Sequence, residues 1–180
     1  MIIGITGSFG AGKGEVVEYL KKAHDFSHYS ASGFITEEIL RRSLPVDRDN
    51  MTAVANDLRL KHGPSYVVDS LYARAQAAGG NVVIESLRAP AEVARIRELG
   101  GFVIGVDAPA QLRYDRAVKR GSEKDAVTFD YFLAQEKREQ NPDDPTKQNI
   151  FEALKLSDVV IQNDDTLEVL AQRIEKILPS

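Results

Sequence analysis

The sequence predicts a three-layer α/β sandwich around a five-stranded parallel sheet, and three observations carry that prediction. Short runs that are apolar at almost every position recur along the chain, as in strands covered on both faces. Stretches with helical hydrophobic spacing lie between them, which is the alternation of a parallel sheet. The chain has 180 residues, 43% of them hydrophobic and 28% charged, ordinary values for one domain large enough to bury a core.

Taken in order, Ile2-Ile3-Gly4-Ile5-Thr6 is the first strand, and Val16, Val17, Leu20 and Ala23 mark one face of the first helix. Phe26-Ser27-His28-Tyr29-Ser30 is the second strand, the least apolar of the five. Residues 31–78 form a helical excursion, closed by a helix whose face is Tyr66, Val67, Leu71 and Ala75 and which stops at Gly79-Gly80. Asn81-Val82-Val83-Ile84-Glu85 is the third strand, and Val93, Ile96 and Leu99 line a helix that ends at Gly100-Gly101. Phe102-Val103-Ile104-Gly105-Val106 is the fourth. Residues 113–156 form a second, highly charged excursion with Asn141-Pro142-Asp143-Asp144-Pro145 as an internal loop. Asp158-Val159-Val160-Ile161-Gln162 is the fifth strand. The last helix carries the stripe Leu167, Leu170, Ile174 and Ile177, with Asp165 and Glu168 as a capping box and Pro179 beyond its end. The expected organisation is one domain: a core of about 1–30, 79–112 and 157–180, a flap at 31–78 and a lid region at 113–156.

Composition narrows the function. A net charge of −4, from 23 Lys+Arg against 27 Asp+Glu, argues against broad coating of a nucleic acid. With no Cys there is no disulfide framework, zinc thiolate or thiol nucleophile. No apolar run approaches the ~20 residues of a membrane span, and the apolar start is too short for a secretory signal. A cytoplasmic protein, monomer or homodimer, that handles small molecules is expected. His24, His28 and His62 have no metal-ligand spacing.

Gly7-Ser8-Phe9-Gly10-Ala11-Gly12-Lys13 lies directly between the first strand and the first helix, the context a G-x-x-x-x-G-K phosphate loop requires. Glycines let successive backbone N–H groups turn toward phosphate oxygens, and the helix adds its partly positive N-terminus. Lys13 is placed to bridge the β- and γ-phosphates. ATP is the expected donor, held by Gly7 to Lys13 and by Gly14 and Glu15 at the helix start. The hydroxyl that usually follows the lysine and ligates Mg2+ is absent, since Gly14 stands there. Mg2+ is therefore expected on nucleotide oxygens and water, with Glu85, at the carboxyl end of the third strand, holding it through water.

Gly12-Lys13-Gly14 is similar to the loop ending of adenylate kinases, and the chain resembles the P-loop nucleoside monophosphate kinases, a group that includes adenylate kinase and, more distantly, dephospho-CoA kinase. Adenylate kinases usually carry Thr where Glu15 stands. Ile84-Glu85-Ser86-Leu87-Arg88 resembles their strand-end acid followed by a phosphate-binding Arg, and Arg113, Arg116 and Arg120 resemble their basic lid helix. Asp158 to Glu168, including Asn163 and Asp164, resembles the last strand and turn of dephospho-CoA kinases, where the turn lies beside the adenine. The resemblance implies a P-loop NTPase fold with ATP and Mg2+, and places Arg116, Asn163 and Asp164 beside the donor nucleotide. Ser32 and Gly33 fall in the place of the acceptor segment, with Thr36 where that segment has Arg. Asn56-Asp57-Leu58-Arg59 with His62-Gly63 is similar to a motif in relatives of these kinases, some of which accompany deoxycytidylate deaminase domains.

The acceptor is read from charge. A hydroxyl must lose a proton and calls for a carboxylate base, whereas a nucleoside monophosphate is already ionised and calls for cations. Ser30-Ala31-Ser32-Gly33 after the second strand has no acid, while Arg59, Arg88, Arg113, Arg116 and Arg120 supply forked cations suited to phosphate. The expected reaction moves the γ-phosphate of ATP to a nucleoside or deoxynucleoside monophosphate. Lys13, Arg88, Arg116 and Arg120 are its catalytic cations, with Ser32, Gly33, Arg59, Glu85 and Arg88 around the acceptor. Glu136, Lys137, Arg138 and Glu139 read as pairs within a helix, Arg138 also as a lid candidate, and Asn50 to Asn56 with Tyr66 as pocket candidates. Two alternatives stay open. One is a hydroxyl kinase acting on a compound such as dephospho-CoA, with Asp47, Asp49 or Asp57 as base. The other is a nucleotide-sensing module with little turnover, which the carboxylate of Glu15 beside a triphosphate motivates.

Overall fold

The computed structural model describes residues 1–121, 128–138 and 148–178. The expected Asn141–Pro145 loop, Glu139, the side chain of Arg138 and Pro179 lie outside the described residues. Five strands, β1 (Ile2–Gly7), β2 (Phe26–Ser30), β3 (Asn81–Leu87), β4 (Phe102–Asp107) and β5 (Val159–Gln162), pair throughout in parallel in the order β2-β3-β1-β4-β5. The weak second strand is therefore real, and it forms one edge.

Period-2 alternation decides the layers. Ile3 and Ile5 face a layer made by α1 (Lys13–His24) and α9 (Leu167–Glu175), through Val16, Val17, Leu20, Leu170 and Ile174. Gly4 faces the opposite side, where an added Cβ would lie 2.9 Å from Leu87 Cδ1. That side is covered by α4 (Tyr66–Ala78), α5 (Pro90–Glu98) and α8 (Ile150–Lys155), with Val67, Val68, Leu71, Val93, Ile96 and Ala153 buried. Between β2 and β3, α2 (Ala31–Arg41) and α3 (Arg48–His62) form a lobe with its own small core of Ile35, Ile39, Val54, Ala55 and Leu58. After β4 come α6 (Ala110–Arg120) and α7 (Phe129–Arg138).

Side-chain caps start α2, α3 and α9, and three expectations are corrected. Ser30 and Asp47 cap α2 and α3 by accepting from the amides of Gly33 and Asn50. The cap of α9 is Thr166, whose side chain accepts from Val169 N, rather than Asp165, which accepts from Thr166 N. The buried stripe of α1 stops at Leu20 with Ala23 exposed, and Leu167 at the start of α9 is 63% exposed.

One irregularity matters for the site. The β1–β3 register runs Ile5↔Glu85 and then Thr6↔Leu87, so Ser86 is an extra residue, at φ +70. A bulge that re-aims a strand end beside Glu85 is where such a conformation is tolerated. No helix among the described residues is long and apolar enough to cross a membrane.

Candidate active site

Strand β1 ends in the middle of the sheet, and its loop turns from the carboxyl edge into α1. Three glycines are obligatory there, Gly7 among them, since a Cβ on it would lie 2.1 Å from the Val106 carbonyl oxygen. Gly10 has φ +78, and a Cβ on it would lie 2.3 Å from the Arg113 carbonyl oxygen. Gly12 has φ +87, and a Cβ on it would lie 2.2 Å from Asn163 Nδ2. Gly12 also caps α1 without any side-chain bond, which leaves the first helical N–H groups for an anion.

Lys13 Nζ donates to the carbonyl oxygens of Gly7 at 3.0 Å and Ser8 at 3.1 Å, so its ammonium lies against the loop. Its pKa is lowered to about 8, first by burial and then by the Arg88 guanidinium, with Glu85 pulling the other way and Arg120 and Arg113 adding to the fall. Arginines from two places, the end of β3 and helix α6, thus act on the lysine, against the single carboxylate of Glu85.

Glu85 faces the same edge, in register with Ile5 of β1 and Ser30 of β2. Ser86 Oγ donates to its Oε1 at 2.6 Å and Ser30 Oγ to its Oε2 at 3.3 Å, with His28 Nε2 3.7 Å from Oε2. Burial pushes the carboxyl up, but His28, the Ser86 hydroxyl and the charge of Lys13 outweigh it and hold Glu85 below its ordinary value. An ionised carboxylate here suits the water shell of Mg2+. Among the described residues no cluster of three His, Asp or Glu side chains could hold a metal unaided. Ser32 and Gly33 lie in the first turn of α2, linked to Glu85 through Ser30: the Ser32 and Ser30 hydroxyls are 3.1 Å apart, and Gly33 N donates to Ser30 Oγ at 3.2 Å.

On the other side of the loop Arg116 meets the turn after β5. Arg116 Nη1 donates to Asn163 O at 2.8 Å, and Asn163 Nδ2 donates to Ala11 O at 2.9 Å and Glu15 Oε2 at 2.7 Å. Asp164 accepts from Arg173 at 2.8 Å, which keeps its carboxyl low. Glu15, in place of a hydroxyl residue, is thereby tied to the turn after β5. Above the loop, the ring of Phe9 carries Arg120 of α6 at 5.0 Å and Arg48 of α3 at 5.0 Å, with Phe132 of α7 at 6.0 Å. Arg48 Nη1 also donates to Gln135 of α7.

Three expectations from the sequence are corrected. Arg59 does not face an acceptor: its side chain is 2% exposed and its Nε and Nη2 donate to Glu92 Oε1 at 3.0 and 2.7 Å. Arg113 is also enclosed, donating to Ala108 O, to Phe9 O and to Glu136, so it holds the loop and α7 instead of facing phosphate. Glu136 accordingly pairs across helices and not within its own. Lys13, Glu85 and Arg88 are brought together, as are Arg116, Asn163 and Glu15. Sequence reading overlooked His28, Arg48 and Glu92. Pro90 followed by Glu92 at the third helical position was a readable signal for the last.

A 2-3-1-4-5 parallel sheet with a glycine loop and lysine after the central strand defines the P-loop kinase fold. Within that class the chain belongs to the AAA domain family, which matches residues 3–141. A UPF0200 protein of Pyrococcus abyssi is 32% identical over 185 aligned positions, covering 99% of this chain and 95% of that one. TT1252 of Thermus thermophilus superposes with a TM-score of 0.59 at 21% identity, covering 99% of this chain and 98% of that one. Shikimate kinase of Bacteroides thetaiotaomicron does so with a TM-score of 0.56 at 14% identity, covering 98% and 97%.

Proposed function

We propose that this protein is an ATP-dependent phosphotransferase that moves the γ-phosphate of Mg-ATP to a nucleoside or deoxynucleoside monophosphate. The observation that carries the reading is the glycine loop with Lys13 Nζ held 3.0 and 3.1 Å from the Gly7 and Ser8 carbonyl oxygens, where burial, Arg88 and Arg120 lower its pKa to about 8 against the pull of Glu85. Such a site is relieved by polyanions, and a phosphate donor and a phosphate acceptor relieve it together.

In this reading the loop amides and Lys13 hold the β- and γ-phosphates. Arg116 and the Asn163–Asp164 turn border the nucleoside. Glu85 holds the water shell of Mg2+, which supplies charge neutralisation between the phosphates when bound. Arg88 and Arg120 offset charge on the transferring group, and Ser32 and Gly33 border the acceptor. Arg48, stacked on Phe9, takes the place of Arg59 as the flap's cation. A second reading, transfer to a hydroxyl, is favoured by one observation: Glu85 with Ser30 and His28 is an ionised carboxylate on the acceptor side that could accept a proton. The shikimate kinase likeness is compatible with it.

A panel of ribo- and deoxynucleoside monophosphates, shikimate and dephospho-CoA, each with Mg-ATP, separates the readings. Product from monophosphates alone supports the first and product from hydroxyl compounds alone the second. ATP binding without transfer to any of them would make the protein a nucleotide sensor.

A further inference from the structure

We propose that Glu92 is the positioning residue for Arg88, with Arg59 as its buried counter-ion. The inference rests on the reading above in one respect, that Arg88 contacts phosphate. The geometry stands independently of it.

The chain leaves β3 with each successive peptide bonded. Leu87 O accepts from Thr6 Oγ1 at 2.8 Å, and Arg88 O accepts from Asn149 N at 2.8 Å. Arg88 N and Ala89 N both donate to Glu92 Oε2, at 2.7 and 3.1 Å. These two amides bracket the Arg88 Cα, so one carboxylate oxygen fixes the backbone there and with it the direction of the Cα–Cβ bond from which the side chain starts. Glu92 reaches them because Pro90 starts α5 and the third helical residue can fold back on the cap.

Capping alone does not account for this arrangement. An exposed acid would cap α5 equally well, whereas the Glu92 side chain is 1% exposed. Enclosing a carboxylate is costly unless a cation and hydrogen bonds satisfy it. Arg59 does so on Oε1, which leaves Oε2 wholly for the two amides. The bulge at Ser86 and this buried pair fix the arginine's segment from both ends, next to Lys13 and Glu85. Arg59 lies in the last turn of α3, so that helix is anchored here while its first residue, Arg48, reaches Phe9.

The test compares pyrophosphate affinity by calorimetry with thermal melting in a variant set. Arg88→Ala is expected to weaken pyrophosphate binding about tenfold, the loss of one charge-assisted contact. The double variant R59M/E92Q keeps an amide oxygen for the two N–H groups without a buried charge. It should bind within about threefold of wild type. R59M/E92L is equally neutral but has no acceptor, and should lose about as much affinity as Arg88→Ala. Adding Arg88→Ala to R59M/E92L should cost less than about twofold more, because the two act through one group. R59M/E92L that melts cooperatively and binds as wild type, or that loses a further tenfold with Arg88→Ala, overturns the proposal. Glu92→Asp keeps the charge but shortens the reach by one methylene. Wild-type affinity in that variant overturns the proposal even where R59M/E92L does not fold. Wild-type affinity in Arg88→Ala alone traces the failure to Arg88 as a phosphate ligand, and the role of Glu92 falls with it.

Discussion

Lys13 is pulled two ways: it must be charged to grip phosphate, yet its surroundings disfavour the charge. With a folded pKa of about 8 against an ordinary 10.5, the unfolded chain holds a proton there that the native chain lacks across that interval. Stability therefore rises with pH through this window, and the penalty is fully present below about 8. A bound polyanion reverses the shift. ATP, whose own triphosphate is fully ionised at a pH just above 8, should take up a fraction of a proton per site on binding there, read by calorimetry in buffers of different ionisation heat. Heats independent of the buffer would contradict it. Lys13→Ala should abolish transfer with an unchanged circular dichroism spectrum, and Arg88→Ala should lower kcat by about 10²-fold. At this scale the sequence told the loop residues from ordinary ones because their spacing is itself the mechanism. It could not tell Arg59 or Arg113 from phosphate ligands. An arginine on a helix looks the same whether its partner is a ligand or a carboxylate 33 residues away.

Among elements, apolar runs bounded by glycine made β1, β3 and β4 legible, and β5 needed only its four residues between charged turns. β2 was faint because Ser27, His28 and Ser30 break its apolar run, and of its five residues only Phe26 is buried. The bulge at Ser86 was unreadable, since register belongs to a pair of strands and not to either one. Gly12 shows how tightly loop and turn are fitted. Gly12→Ala would set a methyl against Asn163 and Glu15 at a positive φ. It should destabilise the fold by about 1–3 kcal/mol in urea denaturation and release the Asn163–Glu15 bond. A variant as stable as wild type would mean that the β5 turn moves aside at little cost.

For the whole molecule, flap and lid meet on one aromatic ring. Phe9 carries Arg48 from one and Arg120 from the other, so phosphate entering the loop competes with the ring for both arginines. The chain contains no Trp, and Phe9→Trp therefore makes a single-tryptophan reporter, excited beyond the absorption of its six tyrosines. Its emission should change saturably with Mg-ATP and stay constant in a Lys13→Ala background. A flat spectrum under a ligand that calorimetry shows to bind would separate the ring from closure. The central place of β1 has a different outcome. Flanked by two strands that are themselves paired on both sides, its amides should be the last to exchange with deuterated solvent, at a rate set by global opening. The phosphate loop hangs from the most persistent part of the molecule. A guest can rearrange the limbs around that loop while its footing is left as it was.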